Sequence, residues 1–307
     1  MRGRALLAAG LLLQLVAVAG CGALHLSAVR PPAARATPAA APVRQAARWA
    51  AAARRAVPAG GPARVTFSQT RTADGSVVTV ATFRGPVQYV LHNGSEDPGP
   101  LAGRVAAGPE ITEPGRARLL AAFNGGFKLD TLAGGYQQEG HLVRPLRRGL
   151  ASLVIDTSGQ ASVGVWGHGV PVTGEAVYSV RQNLLPLVVG GKPAAESAQW
   201  RQWGATLGHV EFVARSALGE NAAGELMYAA SMSATPADLA GALARDGARV
   251  AMELDINPEW VQLAVARSPG GPLSAGVPGQ HRPATQYLTG WTRDFIAVLA
   301  PSASASG

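Results

Sequence analysis

The sequence holds a single cysteine, Cys21, so no intramolecular disulfide can form and any folded domain must hold together by its core alone. For the same reason no cysteine metal site or cysteine nucleophile is available beyond that position. The six histidines (25, 92, 141, 168, 209 and 281) are scattered without metal-ligand spacing. No P-loop, dinucleotide fingerprint, Gly-x-Ser-x-Gly elbow, His-Glu-x-x-His motif or internal repeat occurs. Acidic residues are absent from positions 1–64, a stretch that carries nine arginines. Removing those nine from the 27 basic residues leaves 18 against all 19 acidic ones, so the formal charge of +8 belongs to the N-terminal stretch. The remainder carries a net charge of −1 and lacks the footprint of a nucleic-acid-binding domain. What is plentiful is apolar: 47% of the 307 residues are hydrophobic, enough for one large domain or two small ones. Gly 38 and Pro 22 together imply many turns and several long loops.

Arg2 and Arg4 precede an apolar run from Ala5 to Gly20 that ends Val18-Ala19-Gly20-Cys21. A short positive region, an apolar stretch and small residues describe an export signal peptide. Small residues before a cysteine resemble the lipobox of bacterial lipoproteins, in which Cys21 is the lipidation site. The apolar character continues to Leu26, so an uncleaved membrane anchor and an ordinary cleaved signal also fit. Each places the rest of the chain outside the cytoplasm, and the first two attach it to the cell membrane. The expected organisation is therefore a lipoprotein signal or anchor at 1–26 and an Ala/Pro/Arg-rich tether at 27–61. A single domain at 62–300 and a disordered tail at 301–307 follow. The tether is Ala-rich enough to be helical across Val43–Val57, and its charge suits anionic lipid or wall polymer as well as plain solvation.

From Pro62 the pattern changes to short alternating runs. Arg64–Thr70 and Val77–Phe83 enclose Ala73-Asp74-Gly75, a hairpin signal. Pro86–His92 reads as the next strand, and Leu150–Asp156 with Ala161–Trp166 as a second hairpin. Leu184–Val189 runs into the turn Gly190-Gly191-Lys192. His209–Arg215 and Leu226–Met232 pair around Gly219–Gly224. Thr235-Pro236-Ala237-Asp238 marks a helix start, with a capping hydroxyl, a first-turn Pro and an acid at the third position. Leu239, Ala242 and Leu243 then recur at helical spacing until Gly247. Strands follow at Arg249–Asp255, Trp260–Ala266 and Trp291–Leu299. The fold class expected is α+β: strand-rich, with mixed or antiparallel sheets and few helices. Ser268–Thr285, rich in Gly and Pro, is too long for an ordinary connection.

Three constellations could carry chemistry. Asn124-Gly125-Gly126, after the apolar run Leu119–Ala122, either brings backbone N–H groups close to a ligand or forms a plain hairpin turn. Glu253 and Asp255, two apart in a strand, share one face; paired carboxylates raise one another's pKa as acid/base catalysis requires, unless one is simply solvated or paired with an Arg. Arg215, ending an apolar strand, suits a phosphate or carboxylate ligand, or a structural ion pair with Glu211 or Asp255. Glu139 adds an acid in the polar loop Tyr136–Gly140. Trp200 and Trp203 either stack on a sugar face or fill the core.

Taken in order, these pieces resemble the phosphodiester glycosidase family over about residues 115–265. The family's Asn-Gly-Gly-Phe element is similar to Asn124–Phe127, its Ser-Gly-Gly-Pro-x-Leu-…-Gly-Lys stretch to Asn183–Lys192, and its Arg-Thr-Ala-Ile-Gly element to Arg215–Gly219. Its strand and Thr-x-x-Asp/Glu-Leu helix resemble Leu226–Leu243. Its Leu-Asp-Gly-Gly-Gly-Ser motif falls on Leu254–Glu259, where only Leu254 and Asp255 match; Pro258 removes an N–H and Ile256 adds bulk. Together with the N-terminal signal, the resemblance implies an exported, membrane-tethered hydrolase, a glycosidase acting on sugar 1-phosphodiester linkages of a glycan or cell-wall polymer; no cofactor is expected, and no residue is read as a metal ligand. Arg215 would bind the phosphate, and Asp255 would act as base or nucleophile. Asn124 with Gly125 and Gly126 would orient the substrate, and Glu253 or Glu139 would be the second carboxylate. Its partners would be the glycan or sugar phosphate and, through the N-terminus, the membrane. The alternative is a non-catalytic carbohydrate- or wall-binding lipoprotein on the same fold.

Overall fold

The structure, a computed structural model, describes residues 63–101 and 104–302. The expected signal or anchor with Cys21, the tether, and residues 303–307 of the tail lie outside the described residues. Among the described residues no helix is long and apolar enough to cross a membrane.

Among the described residues seventeen strands form three sheets, and every pair of named strands is antiparallel. The first hairpin forms as expected from β1 (Arg64–Arg71) and β2 (Val77–Arg84), with Asp74 accepting the Ser76 hydroxyl at 2.7 Å in the turn. It is the edge of a seven-stranded sheet that continues through β13 (Leu226–Ala234), β12 (Val213–Asn221), β14 (Ala248–Glu253), β10 (Pro186–Val189) and β11 (Lys192–Pro193). A second sheet runs β16 (Leu273–Ala275), β15 (Leu263–Ala266), β4 (Leu119–Asn124), β17 (Phe295–Leu299) and β3 (Gln88–His92). The third runs β6 (His141–Arg144), β5 (Tyr136–Gln138), β9 (Val177–Gln182), β7 (Ala151–Asp156) and β8 (Ala161–Val165). Two α-helices are present among the described residues, the single turn α1 (Gly115–Arg118) and α2 (Pro236–Arg245). The strand-rich α+β class expected from the sequence is the one observed.

All three sheets contribute to one apolar core, where Phe83 stacks on Phe123 at 5.5 Å and Leu153, Leu218, Tyr228 and Val298 close around them. Helix α2 covers the opposite face of the large sheet, setting Leu239 and Leu243 against Val80, Ala217, Ala229 and Ala251. Its start is the capping box read from the sequence: the Asp238 N–H donates to Thr235 Oγ1 at 3.1 Å, and the Thr235 N–H to Asp238 Oδ2 at 2.9 Å. Because both faces are covered, β2 and β13 read as nearly continuous apolar runs rather than clean alternations.

Several boundaries differ from the sequence reading for identifiable reasons. The strand expected at His209–Arg215 begins at Val213 and runs on through Gly219 to Asn221, leaving His209 in a surface turn. Gly219 is a packing glycine rather than a turn glycine, since a Cβ there would lie 3.1 Å from Ala248 Cβ and 3.3 Å from Leu243 on α2. The strand expected at Trp260 starts only at Leu263, because the Trp260 and Val261 N–H groups turn back to the Asn257 carbonyl at 2.9 and 3.0 Å. Within the long Ser268–Thr285 loop, Leu273–Ala275 pairs back onto β15.

Strand parity sends Arg215 and Ala217 of β12 to the helix-covered face, together with Ala251 and Glu253 of β14. Arg215 Nη1 meets Glu253 Oε1 at 2.7 Å with both side chains fully buried; the partner is neither Glu211 nor Asp255. Arg215 also donates to the carbonyls of Ala234 and Trp203, both at 3.1 Å, so the helix start and the Trp203 segment roof the pair. Burial pushes the Glu253 carboxyl up to about 7 despite the adjacent guanidinium. Removing one partner strands the other charge. Arg215→Met is expected to cost about 3 kcal/mol in urea unfolding, and adding Glu253→Gln to recover more than half of it. Glu253 holds its proton more tightly folded than unfolded, and more so without Arg215. The stability of the single variant therefore falls as pH rises above the unfolded carboxyl range, and its deficit is larger at about pH 8 than at about pH 5.

Candidate functional site

Asp255 lies two residues beyond the end of β14, where the ladder still holds the main chain: the Leu254 N–H donates to the Ser216 carbonyl at 2.8 Å and the Ser216 N–H to the Asp255 carbonyl at 2.9 Å. Asn183 pins the same exit, its amide donating to the Glu253 and Leu254 carbonyls at 2.8 Å each. Ser216 Oγ adds two contacts, accepting the Asp255 N–H at 3.1 Å and donating to the Asp255 carbonyl at 3.2 Å. Asn124 completes this arrangement from the end of β4. Its Nδ2 donates to Ser216 Oγ and to the Gly125 carbonyl, both at 2.9 Å. Its Oδ1 accepts the Tyr228 hydroxyl at 2.7 Å and the Gln262 N–H at 3.3 Å. An amide has two donor hydrogens and two acceptor lone pairs, so Asn124 has no capacity left for a ligand. It acts on the site by fixing the Asp255 backbone.

The Asp255 carboxylate is divided between two tasks. Oδ1 accepts the N–H groups of Ile256 at 2.7 Å and Asn257 at 3.0 Å, while Oδ2 faces Arg293 Nη2 at 3.4 Å. Burial raises the carboxyl to about 6, against the lowering effects of Arg293 and the two N–H groups. The N–H groups that follow Asp255 are thus consumed by its own carboxylate, and any anion here must be held by side chains.

An open cleft of about 750 Å³ begins at Asp255 and Arg293. Among the described residues Asp255 is the only carboxylate lining it, whereas Lys128, Arg201 and Arg293 supply three cations and His209 an imidazole. The folded region is nearly neutral, so this concentration of positive charge is local. Trp200, with Arg201 over its ring at 4.4 Å, and Trp260, with Arg293 at 5.4 Å, add aromatic walls. Trp203 is instead buried in the core beneath, its indole N–H donating to the Glu196 carbonyl at 2.9 Å.

Of the residues singled out from the sequence as catalytic or substrate-binding, only Asp255 lines this cleft, joined by Trp200, which the sequence left between a sugar-stacking face and the core. Glu253 and Arg215 share its side of the sheet but are sealed against each other under Trp203. Glu139 is elsewhere: its two carboxylate oxygens accept the Ala106 and Ala107 N–H groups at 2.7 and 2.8 Å, beside a separate hollow of about 190 Å³. Gly125 and Gly126 make room for a buried ion pair rather than presenting N–H groups to a ligand. A Cβ on Gly125 would lie 2.0 Å from Asp294 Oδ2, and one on Gly126 would lie 2.9 Å from the Arg181 guanidinium. Arg181 Nε meets Asp294 Oδ2 at 2.8 Å, and its Nη2 donates to the Phe127 carbonyl. The backbone of Gly126 instead holds Arg293, whose Nη2 donates to its carbonyl at 3.0 Å, while Asp97 Oδ2 lies 3.3 Å from Arg293 Nε.

Sequence reasoning missed Arg293, Lys128, Arg201 and the Arg181–Asp294 pair. One signal was present: Arg293-Asp294 puts two opposite charges directly before the wholly apolar strand Phe295–Leu299. Adjacent charges at a strand mouth are expensive to bury and call for partners. Among the described residues no group of three or more His, Cys, Asp or Glu side chains is placed to hold a metal ion.

No protein-family model and no curated protein matches the chain. Solved structures do. The catalytic domain of zebrafish N-acetylglucosamine-1-phosphodiester alpha-N-acetylglucosaminidase, auto-inhibited by its pro-peptide, aligns over 80% of this chain and 86% of that one, with 16% identity and a TM-score of 0.50. A hypothetical protein from Synechocystis aligns over 79% of this chain and 64% of that one, with 14% identity and a TM-score of 0.45. At 16% identity the first likeness is one of fold: the chain has an architecture similar to that of a phosphodiester glycosidase catalytic domain.

Proposed function

We propose that the chain is an exported, membrane-tethered hydrolase that cleaves sugar 1-phosphodiester linkages of a glycan or cell-wall polymer. One observation carries this reading: Asp255, a carboxylate raised to about 6, stands beside Arg293 in a cleft that Lys128 and Arg201 also line. The fold likeness supports the same chemistry. The Arg2-to-Cys21 signal pattern supports export and attachment.

In the reaction, water adds across the bond between the anomeric carbon and its phosphate oxygen. The carbon gains hydroxyl, the bonding pair departs with the bridging oxygen, and a phosphate monoester leaves. Asp255 serves the sugar side, as base toward water or as nucleophile. The phosphate sits on Arg293, with Lys128 and Arg201 contributing from the cleft wall, and the role first read for Arg215 passes to these residues. A phosphate monoester leaves far more readily than an alkoxide, so a second carboxylate acting as general acid is dispensable. Glu253 and Glu139 are then structural. Trp200 and Trp260 offer apolar faces for a sugar ring.

A second reading, a non-catalytic carbohydrate- or wall-binding lipoprotein, is favoured by the presence of only one carboxylate in the cleft. Sugar release from an aryl phosphodiester of N-acetylglucosamine 1-phosphate separates the two. The full-length chain is expected to release sugar, and Asp255→Asn to lower the rate by about 10³-fold with folding retained. If neither protein releases sugar while both retain glycan binding, the hydrolase reading is lost.

The same assay carries a pH signature. Because the reactive form of Asp255 is ionised, the rate rises about tenfold per pH unit below about 6 and then levels. Arg293 lowers that carboxyl, so Arg293→Gln moves the midpoint upward and cuts the plateau rate by about 10²-fold. An unshifted midpoint would separate Arg293 from Asp255.

A further inference from the structure

The cationic cleft does not end at its own wall. A smaller hollow of about 170 Å³ shares Leu132, Ala133, Leu184 and Gln202 with it, and its far side is formed by Leu150, Leu185 and Trp203 together with Arg147 and Glu196. The two adjoining hollows are taken together as one groove, which carries Lys128, Arg201 and Arg293 at one end and, at the other, Leu150 and Leu185 beside the opposite charges Arg147 and Glu196. Leu132 is 68% exposed and Leu185 50% exposed, both against the hydrophobic tendency of the residue.

The backbone at this junction supplies a second, independent observation. Leu132 and Leu184 both adopt the left-handed conformation, at φ 59° and 51°. That region is sparsely populated for any residue with a Cβ, and leucine lacks the short polar side chain that lets Asn or Asp bond locally there. Both leucines are held in place from outside. The Leu184 N–H donates to the Ala133 carbonyl at 2.8 Å, tying the two segments together across the groove, and Arg147 Nη1 donates to the Leu132 carbonyl at 2.9 Å. Leu132 takes this conformation as the left-handed cap of the turn Leu129–Thr131, and Leu184 in the connection between β9 and β10; residues so held recur at ligand clamps. Here the held residues are apolar and line the groove beside the cations.

Resting on the hydrolase reading above, we propose that this groove is one binding site for an amphiphilic sugar phosphodiester. The sugar lies toward Asp255 and the phosphate among Lys128, Arg201 and Arg293. The second ester of the phosphate is an alkyl or prenyl chain lying along Leu132, Leu150 and Leu185. The substrate class is thus a lipid-linked sugar phosphate rather than a phosphodiester between two sugars. A wholly polar substrate would leave Leu132 and Leu185 wet, and a neutral lipid would put no anion beside Lys128 and Arg201, Arg293 being paired already with Asp97 and Asp255.

The test reads binding, not turnover. Affinities of hexyl phosphate and methyl phosphate are measured by ligand-observed NMR for the full-length chain in lipid nanodiscs, with empty nanodiscs as the blank. Burying part of the added chain is expected to make hexyl phosphate bind about tenfold tighter than methyl phosphate. In the double variant Leu132→Ser with Leu185→Ser the preference falls to within about twofold while methyl phosphate binds as before. Both leucines are exposed, and unchanged methyl phosphate binding reports that the variant is folded. Equal affinity for the two phosphates in the parent overturns the proposal, as does a preference that survives in the double variant. The hydrolase reading fails separately: a chain that prefers hexyl phosphate through these leucines but cleaves no diester keeps the amphiphile site and loses the activity. One that cleaves the aryl diester without any chain preference keeps the activity and loses the site.

Discussion

The buried pair between Arg181 and Asp294 is the constraint around which the site is arranged. Arg181 comes from β9 in the third sheet and Asp294 from the mouth of β17 in the second, so their contact at 2.8 Å joins two sheets that share no strand. Two ions removed from water must find each other and satisfy their remaining hydrogen-bonding groups. Arg181 does so through the carbonyls of Phe127 and Gln182 as well as Asp294. Gly125 and Gly126 are glycines because any Cβ there would collide with this pair. With Asp294 turned inward, its neighbour Arg293 is left to face Asp255, Asp97 and the cleft.

Charge burial also sorts the carboxylates by role. Glu253 and Asp255 are both raised by desolvation, yet they answer to different cations, Arg215 for one and Arg293 for the other. The first pair is closed by Trp203 and helix α2, and its charges serve packing. The second stands at the cleft, where the carboxylate keeps one oxygen outside its own turn. Two acids that are neighbours in sequence are thereby separated, by what covers them, into one sealed in the core and one that lines the cleft.

The groove extends this logic to substrate choice. On the proposed reading, the three cations of the cleft would take an anion and the exposed leucines beside them its apolar tail. Such a substrate would reside in a membrane, which agrees with the attachment read from the first residues of the chain.

Much of the fold was legible because it rests on short-range rules. Short apolar or alternating runs around turn residues located the hairpins at β1–β2 and β7–β8, and Thr235 to Asp238 marked the helix start through its capping box. Asp255 stood out as an acid closing an apolar run. Other elements were hidden because their determinants are distant: β9 carries Arg181, which only Asp294 makes tolerable, and Gly219 mimics a turn residue until α2 is packed upon it. The sequence by itself determined a strand-rich domain, its principal hairpins and helix, and one of the site residues. Which charges pair, which carboxylate reaches the cleft, and which arginine faces it were decided only by the tertiary structure. Those outcomes depend on contacts between residues far apart in the chain, and on which groups the packed sheets remove from water.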